Sequence, residues 1–279
     1  MRVVCVGLAT VDLVQRVDRL PGPDDKAEAL SAEVAAGGPA TNAALTAAAL
    51  GAEVTLVTAV GAHPLGDLIR ADLAAHDVTL LDAAPDTPEP PPVSAVTVLD
   101  ATGQRTIVSR NARGVAVAVP SALAETLTTA DAVLADGHHP ALALAAARSG
   151  RPLVLDAGTW RPVFADLLPH AAVAACSAAF HPPGDLDTVS GLRALGAHHG
   201  AITRGPEPVA WWSGGESGEL DVPPVAAVDT AGAGDAFHGA LTVAIARGAE
   251  LTEALRYAIG VAGIRVQYRG PRTWLTALR

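Results

Sequence analysis

Lysine is almost absent from this chain, in which Lys26 is the only one among 279 residues. Lysine and arginine together number 19 against 29 aspartates and glutamates, so the formal net charge is -10. Because nucleic acids and anionic membranes are bound by clustered basic side chains, this balance argues against both as partners. The lack of lysine also excludes the nucleotide-binding loop GxxxxGK[ST], which occurs nowhere in the chain.

Cysteines and long apolar runs are scarce as well. Cys5 and Cys176 both lie in apolar segments, which is typical of buried free thiols and fits a reducing cytoplasm without a disulfide framework. No apolar stretch approaches the roughly 20 residues that a membrane-spanning helix needs. Asp12 interrupts the apolar N-terminal segment, which is unlike a signal peptide. We therefore expect a cytoplasmic protein.

Short apolar runs alternate with longer alanine-rich segments along the chain. The runs RVVCVGL, EVTLVTAVG, DAVLAD, PLVLDAG, AVAACS and HGAITRG predict buried strands, and segments such as PATNAALTAAALGA predict helices. This alternation predicts a doubly wound α/β fold, with a mostly parallel sheet and helices on both faces. With 50% hydrophobic residues, the chain can form one large core, so we predict a single domain over residues 1–279.

Two stretches, at about residues 12–36 and 93–110, break this alternation. The first is rich in charge, and the second, VSAVTVLDATGQRTIVSR, has a turn-forming DATGQ at its centre, as in a hairpin. We predict that both contribute strands to a small separate sheet. Because open α/β sheets bind ligands beyond the carboxyl ends of their strands, such a sheet is suited to be a lid over that crevice.

The segment VDTAGAGDAFHGA at residues 228–240 combines small residues with two carboxylates, Asp229 and Asp235. The preceding VPPVAAV predicts a strand and the following AFHGALTVAIARG a helix. Small residues in such a turn leave backbone N–H groups open at a helix N-terminus, which suits a phosphate. An aspartate there can accept the proton of an attacking hydroxyl. A helix N-cap is the alternative role for Asp235, but Asp229 and Thr230 already offer capping groups.

A second motif, AAGGPATNAA, spans residues 35–44. Its glycine pair, Gly37 and Gly38, permits close approach of a ligand, and Asn42 offers a donor and an acceptor to paired sugar hydroxyls. Asp12, just past the first strand, faces the same end of the sheet. Taken singly, an ordinary turn, a solvated asparagine and a strand end explain these residues equally well.

Together, DTAGAGD and GGPATNAA make the chain similar to the PfkB family of ribokinase-like carbohydrate kinases, and the resemblance runs nearly end to end. The wording of the motifs is nearest to ketohexokinase-like and sulfofructose kinase-like members. The resemblance implies ATP-dependent phosphorylation of a sugar hydroxyl, with Asp235 as the general base. It implies an anion hole formed by Gly232, Ala233 and Gly234.

The resemblance also implies the ligand contacts. The sugar would be bound by Asp12, Gly37, Gly38, Asn42, Arg105 and Asp136. Thr203, Gly205 and Thr230 would line the site of ATP. The family implies Mg²⁺ as a cofactor, and in some relatives a monovalent cation such as K⁺, for which Asp229 is the candidate ligand.

The chain departs from the family where magnesium is organised. Many members carry an NxxE motif, but the corresponding strand end, CSAAF, has Ser177 and no acid. Water or Asp229 is then left to hold the ion. Two alternatives stay open: a nucleoside kinase of the same superfamily, and a non-catalytic sugar-binding regulatory protein, for which the missing acid is the hint. The intact Asp235 argues against the latter. His238, one helical turn from Asp235, could touch a phosphate, but an ordinary surface position is the favoured interpretation.

The predicted lid strand VSAVTVLD carries apolar side chains on both faces. A small sheet packed on one domain buries only one face, so the other needs a cover. A second copy of the same lid is the symmetric solution, and relatives commonly pair in this way. We therefore predict a homodimer joined through the lid. The alternative is a monomer whose second face folds down over bound sugar.

Overall fold

Thirteen strands in two sheets carry the architecture of the computed structural model, which describes residues 1–279. In chain order the strands are β1 (Arg2–Val6), β2 (Thr10–Val17), β3 (Ser31–Gly37), β4 (Glu53–Thr58), β5 (Val78–Asp82), β6 (Val93–Leu99), β7 (Arg105–Ser109), β8 (Ala132–Ala135), β9 (Leu153–Ala157), β10 (Ala171–Ser177), β11 (His199–Arg204), β12 (Glu207–Ser213) and β13 (Glu216–Leu220).

Eight α-helices accompany the strands, with short 3₁₀ segments near the middle and the end of the chain. The helices are α1 (Pro39–Ala49), α2 (Pro64–Ala75), α3 (Ala122–Thr128), α4 (Pro140–Ala147), α5 (Phe164–Leu167), α6 (Thr188–Ala194), α7 (Ala233–Ala246) and α8 (Leu251–Arg265). None of them combines the length and the apolar character needed to cross a membrane.

The large sheet has the order β13-β12-β11-β10-β9-β8-β1-β4-β5 and is parallel from β5 to β11. The apolar runs that predicted buried strands form β1, β4, β8, β9, β10 and β11, the centre of this sheet. The chain progresses to one side from β1 to β5 and to the other from β8 to β11. The strand order therefore switches between β1 and β8, where open α/β sheets leave a crevice for ligands.

Both faces of the large sheet are covered, as predicted. One core cluster joins α1, α2, α7 and α8 to residues such as Val3 and Cys5 of β1, and the other joins α3 to α6 to Val4 and Val6. Alternate side chains of the strand therefore enter opposite cores.

The two stretches that break the alternation form a separate sheet with the order β3-β2-β6-β7, called the lid sheet below. β6 and β7 pair antiparallel across the DATGQ turn, which confirms the predicted hairpin. The register places Asp12 beside Ser94 and Ser94 beside Ser109 on the inner face of the lid sheet. The next row on the outer face is apolar and runs through Val34, Leu13, Ala95 and Val108.

The strand predicted for VPPVAAV is wrong. Residues 222–228 belong to neither sheet, and their end is held by the N–H of Val228, which donates to the carbonyl of Val266 at 2.8 Å. Pro223 and Pro224 have no N–H to give to a ladder, which explains why this apolar run does not pair. The glycine-rich motif therefore joins an extended loop, and not a strand, to α7.

Candidate active site

A cavity of about 280 Å³ lies between the inner face of the lid sheet and the N-termini of α1 and α7. It brings together side chains and backbone from the two motifs and from the lid, although they are far apart in sequence. Of the residues proposed for the site from the sequence, it is lined by Asp12, Gly38, Asn42, Arg105, Asp229, Gly232 and Asp235.

Asp235 and Asn42 meet at the floor of this cavity. Asn42 Nδ2 donates to Asp235 Oδ2 at 2.7 Å, which joins the first turns of α1 and α7. Burial raises the pKa of Asp235 to about 6, the charge of Asp156 adds to this shift, and the hydrogen bond from Asn42 opposes it. At neutral pH the carboxylate is therefore ionised but more basic than a solvated one, as a general base requires.

Close packing of α1 against α7 determines the distance between Asn42 and Asp235. Gly239 of α7 lies against α1, where an added Cβ would stand 2.5 Å from the carbonyl oxygen of Ala43. Only glycine permits so short a separation between the two helices. The contact lies one turn after Asp235 and one residue after Asn42, so it fixes their distance.

The turn before α7 is open to an anion. Gly232 is the N-cap residue with φ of 69°, in the left-handed region that favours glycine. The N–H groups of Gly234 and Asp235 have no backbone acceptor, as expected in the first turn of a helix. An added Cβ at Gly234 would meet nothing within 4 Å, so the space beside it is free. The geometry suits a phosphate at this helix end.

The glycine pair before α1 makes room for Asp12. A Cβ at Gly37 would stand 2.1 Å from the Asp12 carboxylate, so Gly37 acts by leaving space and does not itself line the cavity. Thr10 Oγ1 donates to Asp12 Oδ1 at 2.5 Å. Burial raises the pKa of Asp12, and the hydroxyls of Thr10 and Ser94 oppose the shift. Asp12 can still accept from a ligand hydroxyl in the cavity.

The structure does not bring Asp136 to the cavity. Its side chain is 1% exposed, and Oδ2 accepts from the N–H groups of Leu8 and Ala40 at 2.8 and 3.3 Å. Burial by itself would raise the pKa of Asp136, but the ring and N–H of His138 and the N–H of Leu8 outweigh it and lower the pKa. Asp136 thus ties the segment after β1 to α1 and is not placed to bind a sugar in this cavity.

The residues expected to line ATP lie outside the cavity. Thr203 is the next-to-last residue of β11, and its Oγ1 donates to the carbonyl of Cys176 at 3.3 Å. Gly205 follows in the turn after the strand. Thr230 donates to the carbonyl of Gly103 at 3.0 Å and so attaches the lid hairpin to the glycine-rich turn. Arg105 donates to the carbonyl of Thr230 at 2.9 Å across the same junction.

Asp229 does not fit a metal ligand. It is 1% exposed, and its Oδ2 lies 3.4 Å from Nη2 of Arg16 and 3.6 Å from Nη2 of Arg265. The N–H groups of Ala231 and Gly270 donate to its two oxygens. Two guanidinium groups already neutralise the negative charge of Asp229, so this carboxylate is not placed to bind Mg²⁺ or K⁺ as well.

Sequence reasoning missed Asp156, which lies at the carboxyl end of β9. It is 7% exposed, and its Oδ2 has no hydrogen-bond partner. Burial raises the pKa of Asp156. The only signal in the sequence was its position at the end of the run PLVLDAG, on the edge where ligands bind.

The surface position predicted for His238 is wrong. The ring is 4% exposed, with Nδ1 2.7 Å from the carbonyl oxygen of Gly234 and Nε2 3.2 Å from that of Ala175. Because α7 is covered by other helices and by the sheet, this side chain faces the core between Asp156 and the glycine-rich turn.

Known proteins similar to this chain are carbohydrate kinases and ribokinases. Residues 1–277 match the family model of the pfkB family carbohydrate kinases. Ribokinase of Bacillus subtilis is 28% identical over 280 residues, which cover 95% of this chain and 93% of that protein. A crystal structure of a putative ribokinase from Agrobacterium tumefaciens superposes with a TM-score of 0.83 at 26% identity, covering 100% of this chain and 97% of the other. Ribokinase of Arabidopsis thaliana, solved with ribose and ATP, shares the fold with a TM-score of 0.78 at 24% identity, covering 100% and 98% of the two chains.

Proposed function

We propose, from the premise that this chain belongs to the pfkB family of carbohydrate kinases, that it transfers the γ-phosphoryl group of ATP to a sugar hydroxyl, with Asp235 as the general base. One observation carries the proposal. The Asp235 carboxylate, with its pKa raised to about 6, is held by Asn42 beside the open N-terminus of α7. A proton acceptor and an anion site therefore adjoin each other in one cavity.

Sugar binding follows from the polar groups of the inner lid face and α1. Asp12 and Asn42 offer an acceptor and an amide to neighbouring hydroxyls, with the backbone of Gly38 against them. Ser94 and Ser109 add hydroxyls from the lid. These contacts orient the sugar so that one hydroxyl points at Asp235.

The transfer step uses the turn before α7. Asp235 accepts the proton of the sugar hydroxyl as its oxygen forms a bond to the γ-phosphorus, and the bond from that phosphorus to the bridging oxygen of ADP breaks. The open N–H groups of Gly234 and Asp235, with the Gly232–Gly234 turn, hold the equatorial oxygens. Water is excluded by the lid, and ATP approaches from the side of Thr203, Gly205 and Thr230.

The carboxylate that could help to hold magnesium is Asp156 and not Asp229. Asp156 Oδ2 has no hydrogen-bond partner, although Nδ1 of His238 lies 3.5 Å away, and the charge of Asp156 raises the pKa of Asp235. Because Asp156 does not line the cavity, it would act on Mg²⁺ through a bound water, with the ATP phosphates as direct ligands. The ion, when bound, neutralises phosphate charge that a chain with one lysine cannot.

The cavity favours a sugar over a nucleoside. Trp274 is the single aromatic residue among those lining it, and Trp274 Nε1 donates to the carbonyl of Pro271 while Arg265 packs on its ring. Because Trp274 is 4% exposed, a base would find little aromatic surface on which to stack. The volume of about 280 Å³ suits a monosaccharide.

A substrate panel tests this proposal. ADP formation is followed with ATP, Mg²⁺ and either pentoses, ketohexoses, sulfosugars or nucleosides, with excess EDTA as a control. We expect turnover with a monosaccharide, a product heavier by one phosphoryl group, and loss of activity in EDTA. Turnover with nucleosides alone would favour the nucleoside kinase. Sugar binding without ATP consumption would favour a regulatory protein.

A further inference from the structure

The guanidinium group of Arg265 lies beside the glycine-rich turn. Arg265 is the last residue of α8, is 3% exposed, and lines the cavity. A Cβ built on Gly232 would lie 3.8 Å from Arg265 Nε, 3.8 Å from Asp235 Oδ2 and 3.9 Å from Asn42 Nδ2. Three polar groups therefore converge on one point beside Gly232, which only the absence of a side chain keeps open.

Most of the donors of Arg265 are unused. Its one hydrogen bond is donated by Nη1 to the carbonyl of Tyr268 at 2.9 Å, and Nη2 lies 3.6 Å from Asp229, beyond hydrogen-bond distance. A guanidinium carries five N–H donors. The remaining donors border the cavity, where a ligand can supply acceptors. Burial lowers the pKa of Arg265, but arginine stays protonated in proteins, so the group remains a cation.

The charges behind Arg265 do not balance it. A row of alternating charges runs inward from the surface, with ion pairs of 3.0, 3.3, 3.4 and 3.6 Å: Arg269, Asp100, Arg16, Asp229 and Arg265. The row holds three cations and two carboxylates, and Asp235, on the cavity side of Arg265, supplies the third negative charge. A positive charge is therefore left over at this end when Asp235 takes up a proton, and it then favours an anion in the cavity.

We infer that Arg265 is a further catalytic residue, whose guanidinium contacts the phosphoryl group in transfer and replaces an activating monovalent cation. This inference rests on the proposed function. Before transfer, Arg265 faces an ionised Asp235. As the hydroxyl proton moves to Asp235, that carboxylate becomes neutral while negative charge is shared over the phosphoryl oxygens. The attraction to Arg265 then acts on the phosphoryl group, so it is stronger in the transition state than before.

Arg265→Gln and Arg16→Gln form the matched pair that tests the inference. Both variants remove one guanidinium from Asp229, but only Arg265 lines the cavity. We measure kcat, the KM for the accepted sugar, and the melting temperature. In addition, calorimetry follows binding of ADP with and without fluoroaluminate, which mimics a phosphoryl group in transfer.

We expect Arg265→Gln to lower kcat about 10³-fold, as the loss of an arginine that stabilises phosphoryl transfer does. Its sugar KM and ADP affinity should stay within a few-fold of wild type, while the gain in ADP affinity with fluoroaluminate is lost. Arg16→Gln should lower the melting temperature but keep kcat within a few-fold. Wild-type activity should be equal in potassium and tetramethylammonium buffers.

Two results would overturn the role of Arg265 and leave the kinase proposal standing. One is that Arg265→Gln binds ADP with fluoroaluminate as tightly as wild type does, and the other is that the two variants lose kcat equally. A wild-type requirement for potassium would also overturn it. A wild-type protein that neither binds ADP nor consumes ATP would overturn both the role and the proposed function.

Discussion

At the scale of single residues, burying the ionised carboxylate of Asp235 lowers the free energy of unfolding at neutral pH. Its pKa is raised to about 6 in the folded protein, first by burial and then by Asp156, against an ordinary value of 3.8. The folded state therefore binds the proton more tightly than the unfolded chain, and stability falls as the pH rises from about 4 through 6. The raised pKa that makes Asp235 a suitable base therefore lowers the stability of the folded protein at neutral pH.

Asp235→Asn should stabilise the protein at pH 7.5 by on the order of 2 kcal/mol, because the neutral amide avoids the penalty of the ionised carboxylate. The amide can still accept from Asn42. The gain should shrink as the pH falls through 6, where the wild-type carboxyl becomes protonated. Urea unfolding at pH 7.5 and 5.0 measures this, with the exposed Asp221→Asn as a control. A variant no more stable than wild type at pH 7.5 would contradict the raised pKa.

Replacing Asp12 should change only the affinity for sugar, whereas replacing Asn42 should change both sugar affinity and turnover. Asp12→Ala leaves a sugar hydroxyl without its acceptor, which costs about 1 to 3 kcal/mol, so KM for sugar should rise while KM for ATP stays close to wild type. Asn42→Ala should raise the same KM and also lower kcat, because Asn42 holds Asp235 at 2.7 Å. Steady-state kinetics in both substrates decides this. A loss of ATP affinity with normal sugar affinity would reverse the placement of the two ligands.

At the scale of elements, the packing of α1 on α7 positions the chemistry. Gly239→Ala would place a methyl group 2.5 Å from the carbonyl of Ala43, so the helices must separate. We expect a destabilisation of about 1 to 3 kcal/mol and a lower kcat, since Asn42 moves away from Asp235. Thermal unfolding and kinetics are compared with Gly260→Ala in α8, where the added methyl meets nothing within 4 Å. That control should gain up to about 1 kcal/mol at unchanged kcat, and equal behaviour of the two variants would contradict the account.

The elements also show what a sequence can predict. The central strands, α1, α7 and the lid hairpin followed from local patterns of apolar, glycine and turn residues. Asp229 and Arg265 did not, because their roles depend on partners that only the tertiary fold brings near. Asp136 was misplaced for the same reason: its strand-end position was clear, but the N–H groups that bind its carboxylate come from the segment after β1 and from α1. The prolines of VPPVAAV and the strand-end position of Asp156 are the local signals of the two features that the sequence analysis did not predict.

At the scale of the whole molecule, the lid sheet leaves an apolar row on its outer face. Val34 and Val108 in this row are 53% and 73% exposed, while the inner face covers the cavity. A second lid packed on this row would bury it, as the proposed homodimer requires.

Val108→Asp should therefore convert a dimer into a monomer of 28.0 kDa without loss of the fold, because a carboxylate in an apolar interface is costly to bury. Light scattering at micromolar concentration measures the mass, with Leu186→Asp as a control at an exposed apolar residue outside the lid. A wild-type mass of one chain, with and without sugar, would show the lid to be the flap of a monomer.

The central claim is that Asp235 accepts a proton while a phosphoryl group passes from ATP to a sugar. Phosphorus NMR of wild type and Asp235→Asn, with ATP, magnesium and the accepted sugar at pH 7.5, follows that transfer directly. We predict that a sugar phosphomonoester signal grows with wild type as the γ-phosphate signal of ATP declines. Asp235→Asn, folded and still binding sugar, should form it at least about 10²-fold more slowly. Equal rates of transfer in the two proteins would contradict the account.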